Sequence, residues 1–188
     1  MMTRTRRTAL AGVEPLPPRR KWRAILIATL VLVPAYWALL AGLVSAAVGE
    51  GPEAPNAAAF IALGFALIPF VFVALAFLSE HPRAPGAVLR AMGLCLLVGI
   101  PVSALAADAV TGFVAGIGAG GVVALRADLA HSLKTRALAV AAATAYAFFL
   151  VRVAPEAAVL IGPILPFTTI GVADHLRERR REREASGA

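Results

Sequence analysis

Two long runs of the sequence contain no charged residue, and they limit what the chain can fold into more than any other feature. Residues 24–48 and 57–79 are both almost wholly apolar. A helix needs about 20 apolar residues to cross the hydrocarbon core of a bilayer, whereas shorter apolar runs are typical of helices buried in soluble proteins. The two runs therefore predict transmembrane helices.

The overall composition disfavours a soluble domain. Of the 188 residues, 60% are hydrophobic and 15% are charged, whereas soluble domains average about 45–50% apolar and about 25% charged residues. The surface of a soluble protein with this composition would be too apolar to stay in water. We therefore expect an all-α fold, a polytopic transmembrane helix bundle.

Charged and proline-containing breaks divide the rest of the chain into further apolar segments. The bundle, residues 24–173, has six predicted spans, at about residues 24–48, 57–79, 87–107, 109–125, 137–151 and 157–173. A basic, proline-containing tail (residues 1–23) precedes the bundle and is predicted to be flexible, and a charged tail (residues 174–188) follows it. The last four segments are at or slightly below the length of a full crossing. A four-span arrangement therefore stays open as the alternative.

The basic residues predict which side of the membrane each connection faces. Seventeen of the 18 Lys and Arg residues fall in the two tails and at the second and fourth connections, whereas only Arg152 falls on the other side. Positively charged loops stay in the cytoplasm, so we expect an N-in/C-in topology with both termini cytoplasmic. The composition, rich in Ala, Gly and Arg, favours a bacterial chain, and hence the bacterial plasma (inner) membrane.

Two patterns inside the spans predict how the helices pack and bend. Gly112, Gly116 and Gly120 are spaced four residues apart and fall on one helical face. Such a face lets another helix approach closely, so these three are the predicted helix-packing residues. A proline inside a helix removes one backbone donor and bends the helix. The predicted kinks are at Pro34, Pro69, Pro101, Pro163 and Pro166.

The residues that flank the first and last spans are predicted to contact membrane lipids, anionic on the cytoplasmic side, or an acidic partner. They are Arg19, Arg20, Lys21, Trp22 and Arg23 at the first span, and Arg177, Arg179, Arg180, Arg181 and Arg183 after the last. We therefore interpret the net charge of +7 as a property that serves contact with the membrane, and we expect no nucleic-acid partner.

The sequence contains no motif that predicts a catalytic residue, a metal ligand or a cofactor site. No HExxH, GxSxG or Walker pattern occurs. No Asp, Glu, Lys, Arg or His residue lies near the middle of a predicted span, where ion-coupled pumps usually carry one. These features favour a non-catalytic accessory or assembly subunit of a larger membrane complex, such as one of the respiratory chain. It would bind other membrane subunits through helix packing.

Two other functions stay open. A small transporter or channel is favoured by the prolines and by the polar pair Thr168 and Thr169 in the last span. A membrane-embedded lipid enzyme would need polar groups clustered at the cytoplasmic interface. The candidates for such a cluster are His81, Arg83, Asp128 and His131.

Overall fold

The computed structural model describes residues 17–48, 54–125 and 133–157, together with the single positions 164, 167, 171, 175, 179, 183 and 186. Five α-helices occupy the continuous ranges: α1 (Pro18–Val48), α2 (Ala54–Leu78), α3 (Ala84–Ala106), α4 (Ala109–Ala124) and α5 (Leu133–Val153). The described ranges contain no strand. The prediction of an all-α fold is therefore confirmed for the part of the chain that the structure describes.

Three helices are long and apolar enough to span a membrane. Within the described ranges these are Pro18–Val48, Asn56–Leu78 and Ala84–Ala106, and they coincide with the first three predicted spans. The fourth and fifth predicted spans coincide with apolar helices that are shorter, Ala109–Ala124 and Val140–Val153. Most of the sixth, residues 157–173, lies outside the described residues.

α1 begins at Pro18, before the predicted start of the first span at residue 24. Proline is favoured in the first helical turn, because its fixed φ suits the helix and an N–H there would have no intrahelical acceptor. The backbone N–H groups of Arg20 and Lys21 both donate to the Pro17 carbonyl, at 2.9 and 3.4 Å. Residues 19–23 therefore form the first turns of α1, which corrects the expectation of a flexible tail at these positions.

α1 and α2 pack against each other in antiparallel orientation. At one end, Arg20 and Glu80 form an ion pair. Towards the other end, a Cβ atom added to Gly42 would lie 2.9 Å from the carbonyl oxygen of Ala57. Such a close approach of two helix backbones requires glycine, because a side chain would keep the helices apart.

A tight turn at Ala107 and Asp108 reverses the chain between α3 and α4, between the third and fourth predicted spans. Ala107 adopts the left-handed conformation with φ of 50°, and the Asp108 N–H donates to the Ser103 carbonyl at 3.2 Å, which closes the end of α3. The Asp108 carboxylate then accepts hydrogen bonds from the N–H groups of Val110 (3.2 Å) and Thr111 (2.8 Å). Asp108 is thus the N-cap of α4, and the two helices become antiparallel neighbours.

α1 extends further than the α3–α4 turn at the end of the molecule away from Glu80. The rings of Tyr36 and Phe113 lie together, with centroids 5.2 Å apart. Val48, the last residue of α1, lies about 18 Å beyond Tyr36 along the helix axis. In the same direction, Ala109, the first residue of α4, lies only about 6 Å beyond Phe113. The molecule is therefore taller at α1 than at the α3–α4 turn.

The main core lies where α1–α4 meet. Its fully buried side chains include Leu32, Phe72, Leu75 and Ile117, and Phe167 packs into the same core. A smaller cluster connects α5 to α3 and α4, with Ala147 packed near Val102 and Val114. The outward faces of the helices also carry large apolar side chains, such as Leu30, Phe70 and Leu97. Apolar residues all around a helix are typical of a membrane span.

Candidate functional site

The predicted helix-packing face of α4 is occupied by other helices of the same chain. Gly112, Gly116 and Gly120 are all buried. A Cβ atom on Gly116 would lie 2.6 Å from the carbonyl oxygen of Cys95 in α3, and one on Gly120 would lie 2.5 Å from the Phe72 ring of α2. The glycines therefore allow α4 to pack inside the bundle, and this face is not available to a separate subunit.

Three of the five predicted kink residues lie inside described helices. Pro34, Pro69 and Pro101 lie in α1, α2 and α3, and each helix continues through its proline. The other two, Pro163 and Pro166, lie outside the described residues. Each proline removes the donor that the carbonyl four residues earlier would otherwise have.

The residues at the start of α1 have different environments, although the sequence predicts a common role for them. Arg19, Arg20 and Arg23 are exposed, Trp22 is half-buried, and Lys21 is only 1% exposed. The sequence did not predict the burial of Lys21, because that depends on which parts of the chain pack over the first turns of α1.

Arg20 does not simply face solvent. Its Nη1 atom lies 2.5 Å from Oε1 of Glu80, with both side chains about half exposed. Glu80 itself follows α2 in the left-handed conformation, with φ of 52°. The His81 N–H donates to the Ala76 carbonyl at 2.8 Å, which completes the helix end. The ion pair therefore joins the first turn of α1 to the turn after α2.

The C-terminal arginines are described only in part. Arg179 and Arg183 lie at helical positions and are exposed. Arg177, Arg180 and Arg181 lie outside the described residues.

The residues proposed for a lipid enzyme are also described only in part. The Arg83 N–H donates to Nδ1 of His81 at 3.1 Å, whereas Asp128 and His131 lie outside the described residues. Among the side chains that the structure describes, no group of three or more His, Cys, Asp or Glu residues could hold a metal ion.

A cleft that the sequence did not predict lies between α1, α2, α3 and α4. Its volume is about 230 Å³. We call it the Tyr36 cleft. All four helices contribute to its wall, which includes Tyr36, Leu43, Phe65, Cys95, Ile100 and Phe113.

Tyr36 is the most unusual residue of this wall. It is only 2% exposed, and its ring lies against Phe113 and edge-on to Trp37, at 5.2 and 5.9 Å between centroids. Its buried hydroxyl oxygen has no hydrogen-bond partner among the described residues. The sequence contains a signal that could have identified Tyr36 as unusual. This residue lies in the middle of an uncharged run, whereas transmembrane tyrosines are enriched at the membrane–water interfaces.

The outward face of α3 contains two glycines, Gly86 and Gly93, that the other described helices do not contact. A Cβ atom on Gly93 would have no neighbour within 4 Å, and one on Gly86 would meet only the Arg90 side chain, at 3.6 Å. Exposed apolar side chains, among them Leu89 and Leu97, surround these glycines. In contrast to Gly99 of α3 and the glycines of α4, Gly86 and Gly93 do not pack against another described helix.

These features define a class of protein: an all-helical chain with three described helices long and apolar enough to span a membrane. Comparison of this chain with models of known protein families, with curated proteins and with solved structures found no match.

Proposed function

We propose that the chain is a non-catalytic accessory subunit of a larger complex in the bacterial plasma membrane. In this proposal it crosses the membrane six times with both termini in the cytoplasm, where its basic ends contact anionic lipid. Partner subunits bind to it through helix packing. The respiratory-chain complexes are natural hosts for such a subunit.

The observation that carries the proposal is the outward position of Gly93 in α3. Glycine inside a helix is less favourable than alanine by about 1 kcal/mol, and a glycine that faces lipid gains no packing in return. A close approach of a second helix would offset this cost, because small residues let two backbones meet. Gly86 lies seven residues earlier, on the same side of α3, and does not pack against another described helix either.

The glycine face of α4 offers an internal comparison for this proposal. There glycine lies where the backbones of α4 and α3 approach closely, as at Gly116 against Cys95. By the same logic, Gly93 is suited to contact with a helix from another protein. The proposed docking face is therefore on α3, and not on α4 as the sequence suggested.

The test is purification from the native membrane in a mild detergent, with mass spectrometry of the proteins that accompany the chain. We expect a defined assembly with the wild-type protein, and at least a tenfold loss of partner with Gly93→Leu. The matched control is Ala62→Leu, which adds similar bulk at an exposed position of α2. A wild-type chain that purifies alone, or a Gly93→Leu variant that keeps its partner, would contradict the proposal.

A small transporter or channel is the second candidate. The observation that favours it is the presence of proline in three helices. Pro69, for example, deprives the Phe65 carbonyl of its helical donor beside the Tyr36 cleft. Thr168 and Thr169, on which the sequence argument also rested, lie outside the described residues. Solute flux into liposomes that contain this protein alone would favour this candidate over the accessory subunit.

A further inference from the structure

The hydroxyl group of Tyr36 needs a partner that the described part of the chain does not supply. The residue is 2% exposed, and its hydroxyl oxygen makes no hydrogen bond to a described residue. Buried polar groups in native proteins are almost always paired, because an unpaired one loses its bonds to water and gains nothing in return. Tyr36 forms part of the wall of the cleft, and its hydroxyl oxygen is covered as the structure stands, so a molecule bound in the cleft becomes this partner once the side chain turns towards it.

The size of the Tyr36 cleft limits what could bind there. An apolar cavity of roughly 150 Å³ holds a molecule the size of benzene, and this cleft is larger, at about 230 Å³. A helix with its side chains is about 10 Å across, which is too wide to enter. The cleft therefore suits a hydrocarbon chain or a single ring, and not a helix of a partner protein.

The cleft is open on the side of the molecule that would face lipid. Its wall includes Leu43, Phe65 and Ile100, which are between 43% and 65% exposed on the outer faces of α1, α2 and α3. The molecules that reach such an opening in a membrane are mainly phospholipids, and each brings acyl chains that end in an ester carbonyl. The carbonyl oxygen is an acceptor, and the tyrosine hydroxyl is a donor.

The position of the α3–α4 turn predicts that the ester carbonyls of the surrounding lipid lie at a depth close to that of Tyr36. α4 has 16 residues and is about 24 Å long, which is shorter than the roughly 30 Å hydrocarbon core of a bilayer. Lipid next to a short segment thins to match it, so the head groups move towards the turn at Asp108. Tyr36 lies level with Phe113, and Asp108 is only about 7 to 8 Å further along the axis of α4.

We propose that the Tyr36 cleft binds one acyl chain of a phospholipid from the leaflet that contains Asp108, and that the ester carbonyl of this chain accepts a hydrogen bond from the Tyr36 hydroxyl. The proposal requires the chain to lie in a bilayer, but it does not depend on an accessory role or on the glycines of α3.

Native mass spectrometry with two matched lipids tests the hydrogen bond. The probes are a diester phosphatidylglycerol and its diether analogue, which has the same head group and chains but lacks both carbonyls. We expect wild-type protein to retain the diester lipid about two- to tenfold better, which is the range of one hydrogen bond. Tyr36→Phe keeps the ring contacts and removes the hydroxyl, and we expect it to bind both lipids equally. An ester preference that persists in Tyr36→Phe, or is absent from the wild type, overturns the proposal.

A second pair of variants tests the location. Ile100→Trp adds bulk at the wall of the cleft, whereas Leu105→Trp adds the same bulk at a residue of α3 that is 83% exposed and outside the cleft. We expect Ile100→Trp to lose the retained lipid and Leu105→Trp to keep it. Equal retention by the two variants overturns the proposal. So does a bound molecule other than phospholipid that Ile100→Trp displaces.

Discussion

The Phe72 ring of α2 lies so close to Gly120 of α4 that a Cβ atom on the glycine would be 2.5 Å from Cζ of the ring. The same Cβ atom would lie 2.7 Å from the carbonyl oxygen of Ala91 in α3. The ring could rotate away, but the carbonyl belongs to a helix backbone and could not. Gly120 is therefore the point at which three helices are in close contact.

This contact predicts that Gly120→Ala lowers the free energy of unfolding by about 1 to 3 kcal/mol, the usual cost of an extra methyl group in a full core. The measurement is reversible unfolding in mixed micelles with increasing dodecyl sulfate, followed by circular dichroism. The control is Gly93→Ala, where the methyl group meets nothing within 4 Å. We expect that variant to match the wild type or to gain up to about 1 kcal/mol from helix propensity. Equal losses in the two variants would contradict this packing.

The turn after α3 predicts a substitution that stabilises the protein. Ala107 has φ of 50°, and a residue with a Cβ atom pays roughly 1 to 2 kcal/mol in this conformation, whereas glycine does not. Ala107→Gly should therefore raise the free energy of unfolding by about 0.5 to 1 kcal/mol, after part of the gain is lost to the greater freedom of glycine in the unfolded chain.

Ala104→Gly is the matched control for this turn. Ala104 is an exposed residue inside α3, where glycine costs about 0.5 to 1 kcal/mol relative to alanine. The two alanine-to-glycine changes, three residues apart, should have opposite signs in the same unfolding assay. A loss of stability in both would mean that Ala107 is not in the left-handed conformation.

The ion pair between Arg20 and Glu80 predicts a small coupling between α1 and the turn after α2. Both side chains are about half exposed, and pairs of this kind typically contribute about 0.2 to 1 kcal/mol. A double-mutant cycle with Arg20→Ala and Glu80→Ala should give a coupling in this range that decreases as salt is added. Arg19→Ala in place of Arg20→Ala is the control, and it should show no coupling to Glu80.

The proposed topology predicts which positions a membrane-impermeant maleimide reaches in intact cells. Cys95 is the sole cysteine, so Cys95→Ala provides a background without thiols. On this background, Ala107→Cys in the α3–α4 turn should be labelled from outside. Ala130→Cys should be labelled only after the membrane is permeabilised. Labelling of Ala130→Cys in intact cells would contradict the cytoplasmic position of the basic connection.

The sequence predicted the helices well, because their boundaries depend on local signals. The uncharged runs indicated the first two long apolar helices, and the charge of Asp108 interrupted the apolar sequence at the turn between α3 and α4. The start of α1 was missed, because charged residues after Pro18 suggested a tail, although proline in a first helical turn favours a helix that begins there.

The packing could be predicted only in part. The spacing of Gly112, Gly116 and Gly120 predicted a face for helix packing, but it did not indicate which helix lies against that face. The burial of Lys21 and the cleft at Tyr36 depend on how several helices come together, so no spacing of residues in the sequence could reveal them. The outward position of Gly93 was hidden for the same reason.

In the proposed membrane setting, the greater height of α1 relative to the α3–α4 turn has a consequence for the surrounding lipid. The lipid next to α1 must be thicker than the lipid next to the α3–α4 turn, where the bilayer is compressed. This deformation costs elastic energy. Two neighbours that meet at their low sides share one compressed patch instead of making two. For a chain that crosses a bilayer as proposed above, the membrane itself would thus favour association in one rotational orientation, before any side chain of the two proteins touches.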